Sequence, residues 1–94
     1  MSYQALHSRL HIQKSSVASQ GIFARENIPA GFGLGMSHIV VEEVIYRTPL
    51  GGFINHSEDP NCVKWWEEDK YFMKTLKPIH KGEELFLEYT FYKV

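Results

Sequence analysis

The chain has 94 residues, 44% of them apolar and 22% charged, with a formal net charge of -1. That length suits one domain with one modest core over residues 1–94, and the composition is not that of a disordered chain. The near-neutral balance excludes long-range attraction to nucleic acid or an acidic membrane, and the single cysteine, Cys62, excludes an internal disulfide or a cysteine-rich zinc cluster.

From residue 3 to 17 the pattern predicts one or two short strands. Leu10 and Ile12 lie two apart, with His11 and Gln13 on the other face. Residues 15–21 are a polar turn, Ile22-Phe23-Ala24 a brief strand, and residues 28–31, with Pro29 and Gly31, a second turn. A glycine-rich stretch, 33–37, precedes a strand predicted over 38–46, because Ile39, Val40, Val41, Val44 and Ile45 are mostly β-branched. Thr48-Pro49 ends it. Residues 63–66 and 71–76 read as a hairpin across the 67–70 turn, residues 77–82 break the chain, and 84–92 supply a last strand with Leu85, Leu87 and Tyr89 on one face. Short strands between turns predict a mostly β architecture with room for one helical turn. No apolar run is long enough to span a bilayer, and the first residues lack the features of a signal peptide.

Residues 51–62, GGFINHSEDPNC, are the densest polar and Gly/Pro stretch. Asn and Asp favour turns by bonding their own backbone, and Pro60 fixes its φ, so a well-capped turn is one reading and a ligand loop the other. His56, Asp59 and Cys62 offer no fourth ligand, so no metal is expected. His7 and His11 would share a face only on a helix, and their segment reads as strand. Two acidic groups, Glu67-Glu68-Asp69 and Glu83, Glu84 and Glu88, are either solvated faces or attractors of a cationic partner. Trp65 and Trp66 fall on opposite faces of one strand, which leaves at least one of them exposed or at an interface.

Three stretches, in this order, resemble the SET domain family of protein lysine methyltransferases: 19–31 (SQGIFARENIPAG), 55–62 (NHSEDPNC) and 82–89 (GEELFLEY). The likeness runs roughly from residue 10 to 92 and is nearest the minimal viral members, which lack flanking domains. It implies a SET-domain-like (β-clip) fold of short strands in small sheets. It also implies a threaded C-terminal segment that makes 55–61 and 83–89 neighbours, an exception to ordinary chain topology.

The resemblance further implies methyl transfer from S-adenosylmethionine to a lysine amine of a protein substrate. Tyr89 is the implied catalytic residue, its hydroxyl near the transferring methyl. Asn55 and His56 would contact the methionine end of the cofactor, since an amide both donates and accepts, with His56 acting mainly through backbone and packing. Gly21, Ile22 and Phe23 would form the first cofactor-side loop, where glycine permits close approach. Leu87, Tyr89 and Phe91 would wall the substrate channel, and Phe91 and Tyr92 would either stack on adenine or line that channel, or else close the core. A homodimer is expected, because so small a domain has little wall of its own and exposed strand edges to bury. An intracellular site fits the cysteine usage, and nothing separates cytoplasm from host nucleus.

The chain departs from the family pattern in four places. Ser19 stands where the first glycine of G-x-G falls, and Glu88 where Asp is common. Leu87 replaces a Phe or Tyr that helps set how many methyl groups are added, so product state does not carry over. The stretch between Gly31 and Asn55 is short, lacking the insert that helps form the peptide groove. That last departure keeps open an alternative, a non-catalytic SET-like module that binds cofactor or peptide or has a structural role.

Overall fold

The structure, a computed structural model, describes residues 6–88. Two short strands stand where the sequence pattern predicts them, β1 (Leu10–Gln13) and β2 (Gly21–Ala24), and form an antiparallel pair with Leu10 opposite Ala24 and Ile12 opposite Ile22. The other strands are β3 (Gly33–Val41), β4 (Val44–Arg47), β5 (Asn55–His56), β6 (Cys62–Glu67), β7 (Lys70–Thr75) and β8 (Phe86–Leu87). They build a second sheet in the order β4-β3-β7-β6-β8-β5. The predicted β6–β7 hairpin is present, with Trp65 opposite Phe72, Trp66 opposite Tyr71 and the pairing extended to Glu67 and Lys70.

The strand predicted over 38–46 is divided. Residues 33–41 and 44–47 are two strands of a hairpin turning at Glu42 and Glu43, whose φ values are 50° and 68°. The β-branched signal is the same on both sides of the turn, and the turn carries none of the Asn or Gly that usually marks it, so sequence pattern runs straight through. The glycine-rich 33–37 is part of β3, which pairs with β7 through register shifts at Gly33/Gly35 and Met36/His38. The last predicted strand is seen as β8 alone, and residues 89–92 lie outside the described residues.

One helical turn is present, α1 (Pro49–Phe53). The Thr48 hydroxyl caps it, accepting from Gly51 N at 3.3 Å, and donates to the Met36 carbonyl at 2.6 Å. Pro49 sits in the first turn, where its missing N–H is not needed. Gly51 has no room for a side chain, because a Cβ there would overlap the Ser37 carbonyl. The helix therefore rests directly on β3 and delivers Ile54 to the core just before Asn55.

The core gathers Leu10, Ile22, Ile28, Leu34, Leu50, Ile54, Met73, Ile79, Leu85 and Leu87 from both sheets. Ile22, Met73 and Leu85 are wholly buried, each worth about 2 kcal/mol in removed apolar surface. Residues 79–85 stitch the two sheets together. Ile79 bridges Ile28, Glu84 bridges Phe23, Gly82 N donates to Ala24 O, and Leu85 N donates to Ile22 O.

Glu42→Asn with Glu43→Gly supplies the residues that a two-residue turn with two positive φ values favours. The pair should stabilise the protein by about 1 kcal/mol, raising Tm by roughly 4–8 °C in a domain of this size. Differential scanning calorimetry of the double variant checks this, and an unchanged or lowered Tm would contradict the turn as described.

Candidate functional site

The site begins with Asn61. Its side-chain amide donates to the Glu84 carbonyl at 2.9 Å and accepts from Phe86 N at 2.7 Å. One amide thus serves residues 84–86 as a neighbouring strand's peptide would. Leu76 N donates to the Asn61 carbonyl, which fixes the loop from the other side. β8 runs parallel between β5 and β6, with Asn55 opposite Phe86, His56 opposite Leu87 and Cys62 opposite Leu87. The loop joining β5 to β6 therefore straddles the segment that carries the last motif.

Asn55 is half-buried beside Gly21. Its Nδ2 donates to the Gln20 carbonyl at 2.9 Å and to Glu84 Oε2 at 2.7 Å. The Glu84 carboxylate also accepts from the Ser15 hydroxyl at 2.8 and 3.0 Å, and Ser15 Oγ accepts from Val17 N. A Cβ on Gly21 would overlap that carboxylate and lie 2.8 Å from Asn55 Nδ2. The glycine is required here by proximity, since its φ is not in the left-handed region.

Of the residues expected to form the site, Gly21 and Asn55 meet directly, and His56 and Leu87 are strand neighbours. Ile22 is wholly buried in the core, its carbonyl accepting from Leu85 N, while Phe23 is half-buried. His56 is exposed and joined to β8 through its backbone. Tyr89, Phe91 and Tyr92 lie outside the described residues. Ser15, Asn61 and Glu84 are site residues that sequence reasoning missed. Glu83 and Glu84 are adjacent and alike, and only the structure separates the turn cap, Glu83 accepting from His80 N, from the inward carboxylate. Two members of that acidic group are thus engaged within the chain.

A cavity of about 250 Å³ lies against Leu87 and Glu88, bounded by Cys62, Lys64, Trp66 and Tyr71. Trp66 packs on Tyr71 with ring centroids 4.7 Å apart, and Trp65 stacks on Phe72 on the opposite face at 5.6 Å. Both tryptophans are exposed, as adjacent strand residues at a sheet end can be. Burial pushes the Cys62 thiol up to about 12 and lowers Lys64 from its ordinary value. Cys62 is therefore an inert part of the core. Among the described residues no three His, Cys, Asp or Glu side chains gather to hold a metal ion, and no helix is long and apolar enough to cross a membrane.

This combination, short strands in two sheets with a late segment held between the two ends of an earlier loop, defines a class of fold. Residues 32–90 match the model of the SET domain, and the chain belongs to that family. Over 66 residues, 63% of the chain, it is 42% identical to human and to mouse histone-lysine N-methyltransferase 2D. The matched segment is 1% of those much longer proteins.

Its fold is similar to a Plasmodium falciparum protein provisionally called a histone methyltransferase, with TM-score 0.76, 19% identity, and 92% and 96% of the two chains covered. The methyltransferase domain of human PR domain-containing protein 2 is also similar, at TM-score 0.70 and 21% identity, over 90% of this chain and 79% of that one. The mostly β, SET-like architecture is thereby established.

The short helix that precedes Asn55 rests on a buried histidine. His38, on β3, lies under α1, with Nδ1 2.9 Å from the Ser37 hydroxyl. Burial, aided by the positive charges of Lys64 and Arg47, lowers its pKa from 6.5 to about 4. As pH falls the unfolded chain takes up the proton first. The stability due to neutral His38 is complete above pH 6.5 and is lost between 6.5 and about 4. Urea unfolding across that window should show stability falling by up to about 1 kcal/mol per pH unit. His38→Gln should flatten the slope, and an equal slope in both proteins would contradict this assignment.

Proposed function

We propose that this chain transfers a methyl group from S-adenosylmethionine to the side-chain amine of a lysine in a protein substrate. The observation that carries this is the meeting of Gly21, Asn55 and residues 84–87 in a member of the SET family. S-adenosylmethionine supplies a methyl already activated on a sulfonium, so the protein's work is alignment and exclusion of water, with no acid–base dyad required.

The residues fit such a ligand. Both N–H groups of Asn55 are engaged by acceptors, which leaves its Oδ1 to accept from a ligand ammonium. The backbone at Gly21 offers close approach without a side chain. Leu87 and the adjoining cavity are the described side of a lysine channel, and Tyr89, the next residue but one, would orient methyl and amine through weak CH···O contacts. Leucine at position 87 gives that wall neither hydroxyl nor ring edge. Relatives named as histone-lysine methyltransferases make core histones the first substrates to try, and an intracellular site of action goes with this reading.

A homodimer also belongs to it. The hairpin tip exposes Val41, Val44, Ile45 and Tyr46, and β4 is an edge strand among the described residues. Val41 and Val44 close the two-residue turn as a hydrogen-bonded pair, so Ile45 and Arg47 turn their peptide groups outward. Antiparallel pairing of two β4 strands about Ile45 sets Glu43 opposite the partner's Arg47 twice, joining charge complementarity to burial of Val44 and Tyr46. The chain should sediment at twice its mass at tens of micromolar concentration. Ile45→Lys, which opposes two ammonium groups at the two-fold axis, should sediment as a folded monomer whose Tm no longer depends on protein concentration. A monomeric parent would overturn the dimer.

Transfer of radiolabelled methyl from S-adenosylmethionine to core histones and a mixed lysate, run beside Tyr89→Phe, tests the activity. Labelled bands should appear and weaken at least tenfold in the variant, a loss of about 1.4 kcal/mol of transition-state stabilisation. Cofactor binding without label on any protein would replace the enzyme by the non-catalytic module.

A further inference from the structure

We infer that Glu84 is a positioning residue for the cofactor end of the site, setting the side chain of Asn55 and the approach of the 15–21 loop. The inference rests on Asn55 being a cofactor residue and adds the group that makes it one.

The amide of Asn55 has one orientation. Its two neighbours, the Gln20 carbonyl and the Glu84 carboxylate, can only accept, so Nδ2 must face both. Asn55 Oδ1 takes no hydrogen bond from any described residue. Glu84 thereby decides which end of the amide is offered outward, an acceptor where a cationic ligand group would sit. Without the carboxylate, one N–H is released, and the amide is free to turn its donor outward instead.

The same carboxylate holds the loop that carries Gly21. Ser15 Oγ donates to it across 69 positions of sequence, and Ser15 in turn accepts from Val17 N. Gly21 is then pressed so near that no Cβ fits between it and the carboxylate. The missing Cβ and the carboxylate are two halves of one packing arrangement. An alanine at 21 must displace Glu84, Asn55 or both.

Glu84→Gln separates positioning from charge. A glutamine places its carbonyl toward Asn55 Nδ2 and its amide toward Ser15, whose hydroxyl accepts as readily as it donates. It keeps the hold on Asn55. Glu84→Ala does not.

The test measures S-adenosylmethionine affinity by calorimetry alongside the Asn55 side-chain amide resonances of the free protein and Tm. Glu84→Ala and Gly21→Ala should each weaken binding at least about tenfold while remaining folded. In both, the Asn55 amide pair should move toward solvent-exposed positions. Glu84→Gln should bind within about threefold of the parent. The double variant Gly21→Ala/Glu84→Ala should lose less than the sum of the two single losses, because the overlap with the carboxylate is gone and only the contact with Asn55 remains. A folded Glu84→Ala that binds like the parent overturns the inference, as does an Asn55 amide signal that does not move. Strict additivity in the double variant overturns it too. A parent chain that binds no S-adenosylmethionine overturns the proposed function itself, and the unliganded resonances still report whether Glu84 holds Asn55.

Discussion

Residues 84–87 must satisfy hydrogen-bonding groups on both flanks at once, and the rest of the molecule is arranged around that demand. Leu85 N is met by Ile22 O of β2, and just beyond it β5 and β6 flank β8 on its two sides, both parallel to it. Where no strand is available, the amide of Asn61 takes the place of a peptide group between Glu84 and Phe86. Buried backbone groups left unpaired are costly, so this segment can be dry only if the loop around it has closed. The wholly buried Leu85 and the nearly buried Leu87 supply the apolar reason for it to be there.

From this constraint the site follows. Seating Leu85 and Leu87 inward leaves Glu84 beside Gly21 and Asn55, where its carboxylate meets donors from two other parts of the chain. The short α1, resting on β3 through Gly51, sets where β5 begins and thus where Asn55 stands. Chemistry-bearing residues lie at strand ends and loops, while the strands hold them in place.

Much of this was legible in the sequence, for physical reasons that differ from place to place. Leu10 and Ile12 follow simple alternation, and the hairpin from Cys62 to Thr75 is two runs rich in aromatic and β-branched residues around a charged turn. The crowded 55–62 stretch stood out because so many turn-forming polar residues rarely fall together by chance. The turn at Glu42–Glu43 was invisible, since two glutamates carry no preference for positive φ. Nor could alternation reveal that Asn61 would act as a strand or that Glu84, and not Glu83, would turn inward. Those roles depend on partners 23 to 69 positions away, beyond the reach of any local pattern.

That separation has a kinetic meaning. The tie between Ser15 and Glu84 closes a loop of most of the chain, and loop-closure entropy must be met before such a contact returns anything. The β6–β7 and β3–β4 hairpins can form early from neighbouring residues, whereas the polar cluster at Asn55 can form only when the late segment has been drawn between β5 and β6. The ordered cluster around Asn55 should therefore be the last feature gained on refolding, and the first lost when that segment lets go, even while the hairpins persist.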